Sequence, residues 1–189
     1  AAKEMETDIC EELRQLDMPK IRFVCEFTPQ EAAETGLDRV RFLMSANVGE
    51  ALKPLSKVAS GGELARIMLA MKQVLAQQDG VPTLIFDEVD AGVSGRAAQK
   101  VALKLWAVSK GRQVLCVTHL PQIAAMADAE FTVEKRVEHE RTYTSVLHLD
   151  GSGRRQELAR LIGGSMITET TLAGAAELLR LADEAKRGI

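Results

Sequence analysis

The stretch that most constrains this chain covers residues 58–75 and reads VASGGELARIMLAMKQVL. Its apolar residues Leu64, Ile67, Met68, Met71, Val74 and Leu75 recur at helical spacing, which predicts a helix with one buried side. Ser60, Gly61, Gly62 and Glu63 head that helix. Ser60 and Glu63 stand in the order of a capping box, which needs no purpose beyond starting the helix. The glycines admit a second reading. With no side chains over them, the first N–H groups and the positive end of the helix dipole would welcome an anion such as a phosphate.

Composition narrows the partners. A net charge of -3 and an aromatic content of 4% argue against a broad basic face and against a base-stacking platform for single-stranded nucleic acid. Cys10, Cys25 and Cys116 form an odd set without C-x-x-C spacing, so the chain reads as carrying reduced thiols in the cytoplasm. No stretch is apolar enough for a membrane span. The chain opens on Ala1 rather than Met, and the expectation is a piece of a longer polypeptide.

Periodicity predicts an amphipathic helix over residues 3–16, carried by Met5, Ile9, Leu13 and Leu16 and ended by Pro19. Either a surface helix or the last turns of a coiled coil would give this pattern. Alternation over 21–27 and 40–45 predicts paired antiparallel strands, with 28–38 as their connection and turn chemistry at 47–50. Residues 77–80 close the glycine-led helix. The run 83–86 has no alternation and predicts a strand covered on both faces. A helix over 96–109 and a second buried strand over 113–117 complete a parallel strand-helix-strand unit. Beyond it come a short helix at 120–127, a hairpin from 130–137 to 142–149, and helices over 155–162 and 168–187.

The first parallel strand ends in Asp87-Glu88 and the second in Thr118-His119. Adjacent parallel strands share their carboxyl edge, where ligands bind in such sheets, so both pairs are candidates for one site. A strand-end Asp can serve Mg2+ through water, a neighbouring carboxylate can deprotonate a water, and an imidazole can donate to a phosphoryl oxygen. Each feature alone is also ordinary: a solvated turn, or a histidine bonded to backbone. His139 and His148 have no such context and read as structural.

These segments resemble a known family. SGGE heading a helix, then TLIFDE, then VLCVTH are similar to the signature motif, Walker B strand and switch histidine of ABC-type ATPases. The fuller wording VASGGELARIMLAMK, IFDEVDAGVSGRAAQKVA and VTHLPQIAAMAD resembles the SMC-related DNA-repair branch of that family, densely from residue 47 to 163. The resemblance implies that Ser60, Gly61 and Gly62 contact the γ-phosphate of ATP bound on an opposing head. It implies that Asp87 serves Mg2+, that Glu88 is the catalytic base, and that His119 is the switch histidine. Residues 90–94 match the D-loop, with Ser94 where transporters usually carry Asp.

No G-x-x-x-x-G-K-[ST] occurs, and no Gly is followed by Lys. Without that backbone cradle and its lysine, a triphosphate has no primary grip. The resemblance then implies an α/β fold that is the C-terminal lobe of an ABC-type P-loop ATPase head. Parallel central strands with flanking helices and short antiparallel strands would fill 19–189, and residues 1–18 would be the end of a coiled-coil arm. It implies the N-terminal Walker A lobe of the same protein as partner, a second head in an ATP-dependent dimer, and DNA contacted through the full-length protein. The implied role is double-strand break repair in the cytoplasm, at the nucleoid and not at a membrane, with the isolated chain inactive. A head lobe of another SMC relative, a transporter subunit and a non-catalytic interaction module are the alternatives.

Overall fold

The opening periodicity is realised as α1 (Ala2–Gln15), which starts at Ala1 without a side-chain capping bond. Ile9, Leu13 and Leu16 are fully buried along one stripe. The helix stops before Asp17, whose φ of +66° lies in the left-handed region. The computed structural model describes residues 1–45, 47, 49–57, 61–75, 80–138 and 141–188. These fall into two compact units, Ala1–Val117 and Thr118–Ile189.

In the first unit α1 packs on β1 and on α2. Strands β1 (Arg22–Ala33) and β2 (Gly36–Ser45) pair antiparallel, with Phe23 opposite Met44 and Cys25 opposite Phe42. Both strands run through much of the segment expected to be a connection. Pro29 still pairs with Asp38, because β1 is an edge strand where a proline is tolerated, and the register shifts only between Pro29 and Ala33. The short β3 (Lys53–Pro54) adds to β2. In the turn expected at 47–50 the Glu50 amide donates to the Asn47 carbonyl at 3.3 Å, while Val48 lies outside the described residues.

The glycine-led helix is α2 (Gly61–Val74). Ile67 and Met71 are buried as expected, but so are Leu69, Ala70 and Arg66, whereas Met68 is exposed. The stripe is broader and rotated because α2 is flanked by both α1 and α3 (Gly95–Ser109), not packed on one side only. The expected closure of α2 at 77–79 lies outside the described residues. Lys104 of α3 reaches Glu12 of α1 at 2.7 Å, with both side chains largely buried.

Strands β4 (Thr83–Phe86) and β5 (Gln113–Cys116) pair in parallel around α3, with Ile85 opposite Leu115 and Phe86 opposite Cys116. On one face Leu84 and Phe86 are buried. On the other, Ile85 is 70% exposed, Leu115 46% and Val117 64%. The expectation of cover on both faces is therefore corrected: within this unit the sheet has one covered face and one open apolar face.

The second unit holds α4 (Pro121–Ala124), the antiparallel pair β6 (Phe131–Glu138) and β7 (Arg141–His148), α5 (Gly151–Gly163) and α6 (Glu169–Gly188). Helices α5 and α6 bury Leu158, Ala159 and Ala175 completely. Helix α5 begins earlier than its apolar pattern suggests, because the Asp150 side chain accepts from the Gly153 amide at 2.7 Å and caps it. Arg154 holds the Ala127 carbonyl at 2.8 Å and Glu130 at 3.3 Å, and Lys186 reaches Asp128 at 2.6 Å, so both helices are tied to the segment between α4 and β6. His148 stacks on Phe131 with ring centroids 5.0 Å apart, a structural role as expected. His139 lies outside the described residues. No described helix is long and apolar enough to cross a membrane.

Leu13→Ala would empty a fully buried site between α1 and its neighbours. The expected loss is about 2–5 kcal/mol, read as a lower urea midpoint with an unchanged slope.

Candidate functional site

Strand β4 carries the chain to Asp87 and Glu88 at its carboxyl end, and both are exposed. The next two residues turn inward: Val89 is fully buried and Asp90 nearly so. This in-out division comes from a tight turn in which the Ala91 amide donates to the Glu88 carbonyl at 3.0 Å. Glu88 itself has φ +57°, a left-handed conformation that costs a non-glycine residue about 1 kcal/mol or more. Gly92 and Gly95 follow at positive φ without that cost.

The tip of α2 meets this turn. A methyl carbon on Gly61 would stand 2.5 Å from Glu88 Oε2, and one on Gly62 would stand 2.6 Å from Ala91 Cβ and 2.9 Å from its carbonyl oxygen. One helical turn later, Arg66 Nη1 donates to the same carbonyl at 2.7 Å. Gly61 is exposed but has the Glu88 carboxylate beside it, and Gly62 is buried, so the tip is not free of neighbouring side chains as expected. The second glycine is there because the turn after β4 leaves no room for a side chain. Ser60 lies outside the described residues.

An open groove of about 330 Å³ runs from Gly61 and Asp87 along Leu64, Met68 and Ile85. Cys116, opposite Phe86, is half-buried. Burial first, and then the charges of Asp90 and Asp87, push its thiol up to about 12, which favours the protonated form. Burial draws the Arg66 guanidinium below its ordinary value, opposed by Glu63 and Asp17.

The structure thus brings Gly61, Gly62, Asp87 and Glu88 together. Ser94 is the exposed N-cap residue of α3, beyond Gly92, and its side chain makes no capping bond. His119 is exposed and belongs to the second unit, in a turn where the Leu120 amide donates to Thr118 Oγ1 at 3.0 Å, just before α4. One residue of the site has no place in the sequence reading, Arg66, and Ala91 enters it only as a member of the D-loop match. A signal for Arg66 existed: it stands four positions after Gly62, hence on the same helix face, within an otherwise apolar run.

No family model matches the chain. It is 46% identical to the DNA repair protein RecN of Bacillus subtilis across 98% of this chain and 35% of that protein. The chain spans about a third of the length of the curated relatives it matches. Its fold is that of SMC head domains. A Pyrococcus yayanosii Smc head with coiled coil and joint superposes with a TM-score of 0.60 at 21% identity, over 82% of this chain and 28% of that one. A second, from a study of ATP-driven dimerization and DNA-stimulated activation of SMC ATPases, gives 0.53 at 20% identity over 87% and 94%.

The two glycines are expected to differ. Gly62→Ala drives a methyl into the Ala91 backbone and should cost about 1–3 kcal/mol in urea unfolding. Gly61→Ala meets only the movable end of Glu88 and should cost less. Equal losses would mean the turn is not fixed against the tip.

Proposed function

We infer that this chain, which belongs with the RecN DNA repair proteins and is folded like part of an SMC head, is the C-terminal lobe of a split ATPase head. The observation that carries the reading is the incomplete sheet: acids at the carboxyl end of β4, beside a face on which Ile85, Leu115 and Val117 lie open. A second lobe bringing the P-loop would cover that face and grip the triphosphate. In this assignment residues 1–18 are the end of the arm and 19–189 the lobe.

Exposed Asp87 fits Mg2+, an ion held by one or two carboxylates together with substrate phosphates and not by a ready-made cage. When bound, Mg2+ would offset the charge of the phosphates. Glu88 would take the proton of the attacking water, and His119 would hydrogen-bond a phosphoryl oxygen. The amide-rich tip at Ser60, Gly61 and Gly62 would face ATP held by a second head, with Ser94 near the same interface. Because Glu88 Oε2 lies over Gly61 in this chain, a phosphate approaching the tip would displace the carboxylate. ATP would join two heads and hydrolysis would part them, moving arms that act on DNA during double-strand break repair in the cytoplasm.

In a complete head, Glu88→Gln is expected to slow hydrolysis by about 10²–10⁴-fold while ATP-dependent dimers persist on size exclusion. Unchanged turnover would remove Glu88 as the base.

The chain alone is expected to give no heat with Mg-ATP in a calorimeter, and hydrolysis should appear when the P-loop lobe is added. Tight binding by the lone chain would contradict the split site, and a folded, inactive mixture would favour a non-catalytic module.

A further inference from the structure

Helix α2 buries a cation in its middle. Arg66 is 7% exposed, its Nη1 donates to the Ala91 carbonyl at 2.7 Å, and its Nε is buried with no partner among the described residues. Desolvating a guanidinium is expensive, and an apolar side chain of similar size is often as good or better for stability. The contact is therefore better explained by what it holds than by what it contributes to folding.

What it holds is the far end of the turn that begins at Glu88. The Ala91 amide closes the turn on the Glu88 carbonyl at 3.0 Å, and the Ala91 carbonyl is held in turn by Arg66. Gly62, one helical turn before Arg66, presses on Ala91 from the same face. Buried Val89 and Asp90 fix the middle of the turn. Glu88 is thereby kept left-handed at φ +57°, with its carboxylate outward. Released at Ala91, the turn could relax toward a right-handed conformation and swing that carboxylate away.

We propose that Arg66 is a positioning residue for Glu88: by anchoring the Ala91 carbonyl it holds the strained turn that presents the carboxylate at the end of β4. This rests on the reading of Glu88 as the base of ATP hydrolysis. Glu63 and Asp17 favour the buried cation and would help keep it in place.

The test uses the complete head, both lobes together, with Arg66→Met, Arg66→Gln and Arg66→Lys beside wild type and Glu88→Gln. The Glu88 control comes first. If wild type hydrolyses ATP and Glu88→Gln does not slow it, the base assignment has failed, and this inference with it. If Glu88→Gln is slow, Arg66 is tested on its own. Arg66→Met and Arg66→Gln should then lower kcat by about tenfold or more with KM for ATP within about twofold. Melting temperature should stay near that of wild type. Arg66→Lys, a single donor on a flexible stem, should recover part of the rate. Wild-type kcat in both neutral variants overturns the proposal while leaving Glu88 as base. So does a rate loss in every variant that follows loss of thermal stability. Should Arg66→Met fail to fold, Arg66→Gln and Arg66→Lys decide by the same criteria.

Discussion

The geometry of the candidate site depends on one close approach, that of the start of α2 to the turn after β4. A glycine with no space for a methyl, and an arginine donating to the same carbonyl one helical turn later, hold residues 88–91 against the helix. Everything chemical about the site follows from that approach. It turns Asp87 and Glu88 outward while Val89 and Asp90 go in, and it accommodates a left-handed glutamate that an isolated loop would not keep. Strain of this kind persists only where the surroundings over-determine it, and here the glycine contact and the arginine bond do so.

Periodicity made most of the elements of both units legible. Apolar spacing of 3.6 found α1, α2, α3 and α6, and alternation found both hairpins. The errors have separate physical causes. Pro29 and Gly36 suggest a long connection, yet an edge position for the proline's strand and a glycine at φ +103° let the strands run on. Asp150 with two glycines started α5 ahead of its apolar pattern, since a cap needs no hydrophobic residue. Met68 was assigned inward on a one-sided helix, whereas α2 has neighbours on two sides.

The site was legible in its parts and not in its assembly. Gly61, Gly62, Asp87 and Glu88 were chosen for what their chemistry permits. That the glycines lie against the turn bearing the acids could not come from spacing, because it depends on how α2 crosses the end of β4. Arg66 was hidden for a related reason: within an amphipathic helix a lone charge is counted with the solvent face unless its contacts are known. The unalternating strand 83–86 taught something different. Its lack of alternation predicted cover on both faces, and the structure covers only the face of Leu84 and Phe86.

That uncovered side has a practical consequence. Among the described residues β4 and β5 pair only with each other, so each presents an unpaired backbone edge next to the apolar strip of Ile85, Leu115 and Val117. Such an edge is indifferent to whose strand it accepts. At high concentration, copies of this polypeptide would tend to template one another into mixed sheets. If the proposed P-loop lobe covers that strip, co-expression with it, more than any change of buffer, is the natural safeguard against precipitation.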